Sequence, residues 1–373
     1  MDSNVNGPPP FIVPPSAPER PRRGRGWMVF ALILLAFLVL SLFVNFAQLL
    51  GGAALTGSYA RSAAGPRLDE SVYEDNSASD KIALVDVSGV ITGESLSGSG
   101  YSLVDLVKAE LKRAADDESV KAVIFRVNSP GGEVLASDEI NRAIADFQKS
   151  SHKPVVASMG DLAASGGYYI SVACRWIQAN DLTLTGSIGV IMDTWNYRGL
   201  MDKVGISPVV YKSGRFKDML SGTRSTNDIP PEEHAMVQAL IDEVYGKFKS
   251  VVEAGRASAH DANAKATDAK LQGKALSADW KDYADGRVLS GSEALRLGFV
   301  DQVGTFEDAV SATKAIAGIS SANLVRYDEH HDLSDLLRFF GESRTGPVKV
   351  DLGLELPKLR AGQPYYLSPI LLH

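Results

Sequence analysis

A single cysteine, Cys174, stands in a chain of 373 residues, which rules out an intramolecular disulfide and any fold that depends on oxidation. An isolated cysteine is most often buried and inert, and Cys174 is read as a core residue. Long Lys/Arg runs are also missing and the formal charge is −7. Without a concentrated basic surface, nucleic acid is excluded as the main partner. The few histidines, His152, His234, His260, His330, His331 and His373, fall in polar or helix-surface contexts, so an imidazole-based catalytic site has little support. No segment repeats another, so one copy of one principal domain is expected. What remains is an ordinary globular balance, 45% hydrophobic and 22% charged residues, in a chain long enough to bury a sizeable core.

Charge itself is absent from Trp27 to Leu50. At ~1.5 Å rise per residue that stretch is long enough to cross a ~30 Å hydrocarbon core, and a transmembrane helix is expected at 27–50. The apolar core of a cleavable leader is shorter, about 7–15 residues. That favours a retained anchor, although the small residues from Gly51 to Leu55 leave cleavage open. Arg20, Arg22, Arg23 and Arg25 precede the segment, whereas only Arg61 and Arg67 follow closely. This bias places the N-terminus in the cytoplasm and everything after Leu50 outside it. Residues 1–26, with the run Pro8-Pro9-Pro10, hold too few apolar side chains for a core and read as a disordered cytoplasmic tail. Residues 51–80 are small, polar and charged and read as a flexible linker. Folding is expected to restart at Lys81.

Beyond that point short β-rich runs alternate with helix-period segments, the pattern of an α/β domain whose sheet is partly parallel. Strands are expected at Ile82 to Val87, Ala122 to Val127, Val155 to Met159, Ile188 to Met192 and Pro208 to Tyr211. Val104, Val107, Leu111 and Ala114 mark one helix face, and Ile140, Ile144 and Phe147 another. Pro230 and Pro231 open a long helix whose stripe is Val237, Ile241, Val244, Phe248 and Val251.

Three constellations carry chemistry. Asn128-Ser129-Pro130-Gly131-Gly132 follows an apolar strand and precedes a helix expected near Glu133. Paired glycines there let backbone amides approach a ligand, as in an oxyanion hole, and a tight strand-to-helix turn explains the same residues. Ala163-Ala164-Ser165-Gly166-Gly167-Tyr168-Tyr169 again joins a strand to a helix. Small neighbours permit a sharp turn that presents the serine hydroxyl, although the segment is not G-x-S-x-G and a helix-capping serine is the structural alternative. Ser213-Gly214-Arg215-Phe216-Lys217-Asp218 offers an amine. A serine needs a base to take its proton, and a lysine serves only when its amine is uncharged, while most lysines are merely solvated.

Taken in order, N-S-P-G-G, A-S-G-G-Y-Y, T-G-S-I-G-V at Thr185 to Val190 and S-G-R-F-K-D resemble the signal peptide peptidase A family in its short single-domain form. Asp285-Gly286-Arg287-Val288 and Gly298-Phe299-Val300-Asp301 extend the likeness, which spans about residues 81–304. The resemblance implies a membrane-anchored serine endopeptidase with a Ser–Lys dyad, Ser165 as nucleophile and Lys217 as general base. It implies oxyanion donors at Gly131 or Gly132 and at Gly166. Ser187 matches a serine that orients the lysine, and a plain turn serine is the alternative. The implied fold is Clp-protease/crotonase-like, stacked ββα units over 81–320 with a C-terminal extension at 321–373. Also implied are homo-oligomers whose serine and lysine come from adjacent protomers, no cofactor, and substrates that are remnant signal peptides and other apolar peptides at the outer face of the cell (inner) membrane. The proline-rich tail departs from the family pattern.

Two other classes of function fit the same fold. One is a catalytically silent, membrane-tethered scaffold, against which the intact Ser165 and Lys217 weigh. The other is a crotonase-type acyl-CoA enzyme, which an extracytoplasmic position separates from its substrate. Asp328-Glu329-His330-His331-Asp332 lacks metal-ligand spacing and reads as a solvated loop, so no metal is expected. The apolar segment from Pro364 to Leu372 is expected either to dock on its own domain or to lie as an added strand in a neighbouring protomer's groove.

Overall fold

The computed structural model describes residues 26–55, 65–95, 100–266, 268–329 and 364–367, and the chain divides into two compact units between Ala60 and Arg61. The first unit holds helix α1 (Gly26–Leu55). Its side chains are described from Met28 to Leu42, and all of these are exposed. Among the described residues no helix is both long and apolar enough to cross a membrane. The proline-rich tail through Arg25, and His330 to Asp332, lie outside the described residues.

The second unit opens with β1 (Leu68–Glu74), β2 (Lys81–Ser88), α2 (Leu103–Asp116), β3 (Val120–Ser129), β4 (Gly131–Glu133), α3 (Val134–Ser151), β5 (Val155–Ala164) and α4 (Gly166–Ser171). It continues with β6 (Trp176–Ala179), β7 (Leu184–Gly186), α5 (Arg198–Lys203), α6 (Pro231–Asn263), β8 (Val288–Ser290), α7 (Gly291–Arg296), β9 (Gln302–Val303), α8 (Phe306–Ala317), β10 (Asn323–Glu329) and β11 (Tyr365–Leu367). A nine-stranded sheet runs β1-β10-β2-β3-β5-β6-β9, with β7 and β8 branching from the end of β5. From β10 to β9 every pairing is parallel, and β1 closes one edge antiparallel to β10.

A parallel sheet covered on both faces needs strands that are apolar on both faces, which is why β2, β3 and β5 read as near-continuous runs. Ala83, Val85 and Val87 face the core formed with Val104, Val107 and Leu111 of α2 and Ile140, Ile144 and Phe147 of α3. Ile82 and Leu84 face a second core with Trp176 and Ala312 of α8. Cys174 is buried in the first core, and burial pushes its thiol pKa up, so it stays protonated and unreactive. A capping box between Ser102 and Asp105 starts α2. At the other end of that helix the Lys153 ammonium donates to the carbonyls of Ala114 (2.7 Å), Ala115 (3.0 Å) and Asp117 (2.7 Å).

Three expectations are corrected. Ile188 to Met192 is not a strand: the pairing it was expected to make falls to Leu184–Gly186, and only Ile191 forms an isolated bridge. Pro208 to Tyr211 has strand composition but no neighbouring strand among the described residues, and Val209, Val210 and Tyr211 are exposed. A strand exists only where another edge satisfies its backbone, and propensity cannot supply that edge. The stretch 51–80 is not all linker, since β1 pairs with β10, which itself lies in the segment read as a C-terminal extension. In α6 the predicted stripe is half-buried at Val237, Ile241 and Val244 and buried from Phe248 through Val252 and Arg256.

That last residue explains the Gly298-Phe299-Val300-Asp301 signature. Arg256 and Asp301 form a fully buried ion pair at 2.6 Å. The guanidinium also donates to the carbonyls of Gly298 (3.0 Å) and Lys274 (3.1 Å). Asp301 in turn accepts from the backbone N–H of Ile177 (2.8 Å) and Lys274 (3.0 Å). Burial alone would lower the Arg256 pKa, and Asp301 outweighs it and holds the value above the ordinary one. One pair thus ties α6 to the β6–β9 edge. Asp301→Asn leaves a buried guanidinium without its counter-charge, and a loss of about 3–5 kcal/mol in urea unfolding is expected. A loss below about 1 kcal/mol would show that the clamp contributes little beyond packing.

Candidate active site

The site begins with how little room the chain leaves around residue 165. Ser165 joins β5 to α4 with φ 53° and ψ −115°, a conformation that non-glycine residues rarely adopt. Its N–H donates to the Gly186 carbonyl (2.8 Å), and its carbonyl accepts from the Tyr169 N–H (2.8 Å). The residue is 1% exposed, and its Oγ is buried with no hydrogen-bond partner among the described residues. Ser165 occupies the N-cap position of α4 yet makes no side-chain capping bond, so capping does not account for it. Tyr168 and Tyr169 hold the turn from beneath through hydroxyl donation to the Phe299 carbonyl (3.0 Å) and to Asp138 (2.7 Å).

Asn128 to Gly132 closes over this turn. The Asn128 Oδ1 accepts from the Leu162 N–H (3.1 Å), and Ser129 Oγ accepts from the Gly131 N–H (3.1 Å). Gly131 takes φ 102°, a left-handed conformation suited to glycine. A Cβ on Gly166 would stand 2.7 Å from Ser137 Oγ and 3.1 Å from the Gly132 nitrogen. A Cβ on Gly131 would stand 2.6 Å from the Gly166 nitrogen. The amides of Gly132 and Gly166 and the Cα of Gly131 are therefore gathered beside Ser165 because no side chain separates them, while the Gly131 N–H is already donated to Ser129.

Thr185 to Val190 forms the adjoining wall. β7 runs parallel to the end of β5, pairing Ala164 with Gly186, and the Thr185 hydroxyl donates to the Ala163 carbonyl (2.7 Å). Ser187 follows at φ 50°, 3% exposed, and its N–H donates to the Arg287 carbonyl (2.8 Å). Asp285-Gly286-Arg287 is the turn that delivers this carbonyl. The Arg287 guanidinium grips the Asp285 carboxylate at 2.6 and 2.8 Å and holds its pKa down at about 2. Because that pKa is depressed, the contribution of the pair is full above the ordinary carboxylate value and is lost as pH falls towards 2. The support for Ser187 is thus legible in the sequence only as an unexplained D-G-R-V string.

Lys217 is not bonded to Ser165. It lies on the exposed turn after Ser213, with its N–H donating to the Gly214 carbonyl (3.2 Å). Every other cation of this turn has an acid: Lys212 pairs with Asp218 (2.8 Å), Arg215 with Glu232 (3.2 Å) and Arg224 with Glu233 (2.7 Å). Lys212 also holds the Asp218 pKa below its ordinary value. The Lys217 ammonium has no partner among the described residues. Ser165, Gly131, Gly132, Gly166 and Ser187 are brought together within the chain, and Lys217 makes no hydrogen bond with Ser165.

The profile of peptidase family S49 matches residues 147–279. A Synechocystis candidate protease, slr0021, is 38% identical over 296 residues, covering 77% of this chain and 95% of the relative. A candidate signal peptide peptidase SppA of Enterococcus faecium is 36% identical over 264 residues, covering 70% of each chain. Among solved structures, the 1510-N membrane-bound stomatin-specific protease, a mutant in complex with a substrate peptide, aligns over 71% of this chain and 99% of its own. Its TM-score is 0.37 with 15% identity, too slight a likeness to bear on fold or site. The chain is a serine endopeptidase. It belongs to family S49, the signal peptide peptidase A family.

The backbone at Ser165 carries strain that glycine would not. Ser165→Gly is expected to raise stability in thermal unfolding by about 1 kcal/mol while abolishing peptide hydrolysis. Unchanged or lowered stability would mean that the conformation is not strained.

Proposed function

We propose that this chain hydrolyses peptides with a Ser–Lys dyad in which Ser165 Oγ is the nucleophile and Lys217, supplied by a neighbouring copy, is the base. The observation that carries the reading is Ser165 itself, a buried hydroxyl without a partner among the described residues, on a strained turn that caps nothing and sits against glycine backbone. Oγ attacks the substrate carbonyl as its proton passes to the uncharged lysine amine. The amides of Gly166 and of Gly132 hold the oxyanion, the Gly131 N–H being engaged by Ser129. Collapse expels the new amino terminus with that proton and leaves an acyl-enzyme, which a water activated by the same amine hydrolyses. Ser187 orients the lysine from the adjoining wall.

Sharing of the site between copies is supported by the contrast between a buried Ser165 and an exposed, unpartnered Lys217. The stretch that carries the lysine is also apolar and uncovered, with Trp195 81% and Tyr211 93% exposed beside Leu200, Val204, Val209 and Val210. Such a surface suits burial against another copy. The family likeness extends the reading to a Clp-protease/crotonase-like architecture. It also extends to an anchor at 27–50 that keeps the domain at the outer face of the cytoplasmic membrane, and to remnant signal peptides as substrates. The charge-free run through α1, preceded by Arg20, Arg22, Arg23 and Arg25, supports that anchor.

Ser165→Ala and Lys217→Ala are each expected to cut turnover at least about a hundredfold without unfolding the domain. Co-assembled, the two inactive chains should recover up to about a quarter of wild-type activity, because one site in four then draws both groups intact across a heterologous interface. Mixed assemblies that stay inactive would sink the shared site, and full activity in Lys217→Ala would sink the dyad. Since the base must carry no proton, kcat/KM is expected to rise from neutral to alkaline pH, and a flat profile speaks against an amine base.

A further inference from the structure

Ser187 is a serine where a glycine would be easier. It takes φ 50° while almost wholly buried, a left-handed conformation that a residue with a side chain keeps only where its surroundings hold it. It directly follows Gly186, whose carbonyl takes the Ser165 N–H (2.8 Å). A shift at Ser187 is therefore felt beside the nucleophile's own backbone partner. The pairing of β7 with β8 runs antiparallel from Leu184 with Ser290 to Gly186 with Val288. One residue further, the Ser187 N–H donates to the Arg287 carbonyl (2.8 Å). That same oxygen lies 3.3 Å from where a Cβ on Gly186 would stand, and a Cβ on Gly189 would stand 3.2 Å from the Gly286 Cα. Thr185 to Val190 thus leans on the turn at 285–287 on both sides of Ser187.

That turn is closed by its own last side chain. Asp285 Oδ1 accepts from the Arg287 N–H (3.2 Å) and from Arg287 Nε (2.8 Å), and Oδ2 accepts from Nη2 (2.6 Å). Three bonds from one residue to one carboxylate make a ring, and the Arg287 carbonyl swings only if the fork opens. Gly286, at φ 92°, supplies the left-handed residue in the middle. The Arg287 guanidinium also stands over the Tyr283 ring, 5.1 Å from its centroid, and Arg296 stands over the same ring at 5.2 Å. Just before the turn, the Tyr245 hydroxyl of α6 donates to the Ala284 carbonyl. An ion pair left half-exposed contributes little to stability. Its effect is on where the Arg287 carbonyl points.

We infer that Asp285 and Arg287 are positioning residues for catalysis: their fork aims the Arg287 carbonyl at the Ser187 N–H, fixes Ser187 in its left-handed conformation and so holds the hydroxyl that orients the base. The inference rests on the proposed dyad, in which Ser187 orients Lys217. Both side chains act through the backbone of Ser187, and the D-G-R-V string gains a task in the reaction. A misplaced orienting hydroxyl slows the chemical step, because reactive alignment is lost with small displacements, and leaves substrate binding as it was.

The test is a double-mutant cycle on peptide hydrolysis by the full chain. Asp285→Asn keeps an oxygen for the Arg287 N–H and removes the charge that grips the guanidinium. It is expected to lower kcat at least about tenfold with KM within about twofold, and Arg287→Lys, which keeps the cation without the fork, should lower kcat in the same way. Added to Ser187→Ala, Asp285→Asn should cost no more than about a further twofold, since the group it positions is already gone. Losses that multiply, or full kcat in Asp285→Asn or Ser187→Ala, overturn the inference. Failure of the dyad shows separately, as full turnover in Lys217→Ala. The hold on Ser187 is also read without turnover, by hydrogen exchange in the full chain carrying Ser165→Ala. Adding Asp285→Asn should speed exchange across 184–190 at least about tenfold and leave 166–172 within about twofold. Unchanged exchange across 184–190 overturns the inference whatever the base.

Discussion

Three backbone segments meet around residue 165 with no side chains between them, and that close approach is the constraint on which the remaining site depends. The end of β5, the Gly131-Gly132 strand and the Gly186-Ser187 turn can converge only because the residues at the contact are alanine, serine and glycine. Convergence forces Ser165 into its unusual backbone conformation, and its hydroxyl has no neighbour to bond among the described residues. Strain and an unpaired buried hydroxyl are costs to the fold, and such costs persist where function requires the group to be available.

The scaffold around this point is correspondingly rigid. Parallel strands buried on both faces carry β3 and β5 to the site. The Arg256–Asp301 pair fastens α6 to the sheet edge beyond it. Tyr168 and Tyr169 tie α4 to its surroundings, so the turn cannot relax without breaking one buried and one partly buried hydrogen bond. The turn bearing Lys217 is held differently, by ion pairs that run from mostly buried, Arg224 with Glu233, through Lys212 with Asp218, to exposed, Arg215 with Glu232. Of these the exposed pair is weak and screened by salt.

Periodicity made α2, α3 and the strands β2, β3 and β5 readable, because one or both faces of each are dictated by burial. Composition failed at Pro208 to Tyr211 and at Ile188 to Met192, where a strand needs a neighbouring edge that no local pattern announces. It failed also at β1, whose mixed residues, Leu68-Asp69-Glu70-Ser71-Val72-Tyr73-Glu74, look like linker because the strand sits at a half-exposed sheet edge. The motif strings were visible before their purpose was. D-G-R-V becomes intelligible once Arg287 is seen to hand its carbonyl to Ser187, and G-F-V-D once Asp301 is seen to neutralise Arg256.

The order and identity of the small-residue motifs were determined by the sequence alone, since glycine and alanine record in the chain itself where backbones must touch. Tertiary structure decided which backbones those are. It put the Gly131 strand, the Gly186 turn and the Tyr365–Leu367 segment around one serine, and it left Lys217 without a hydrogen bond to that serine. Contacts between residues far apart in the chain depend on the packing of the whole sheet, and no local stretch of sequence encodes that packing.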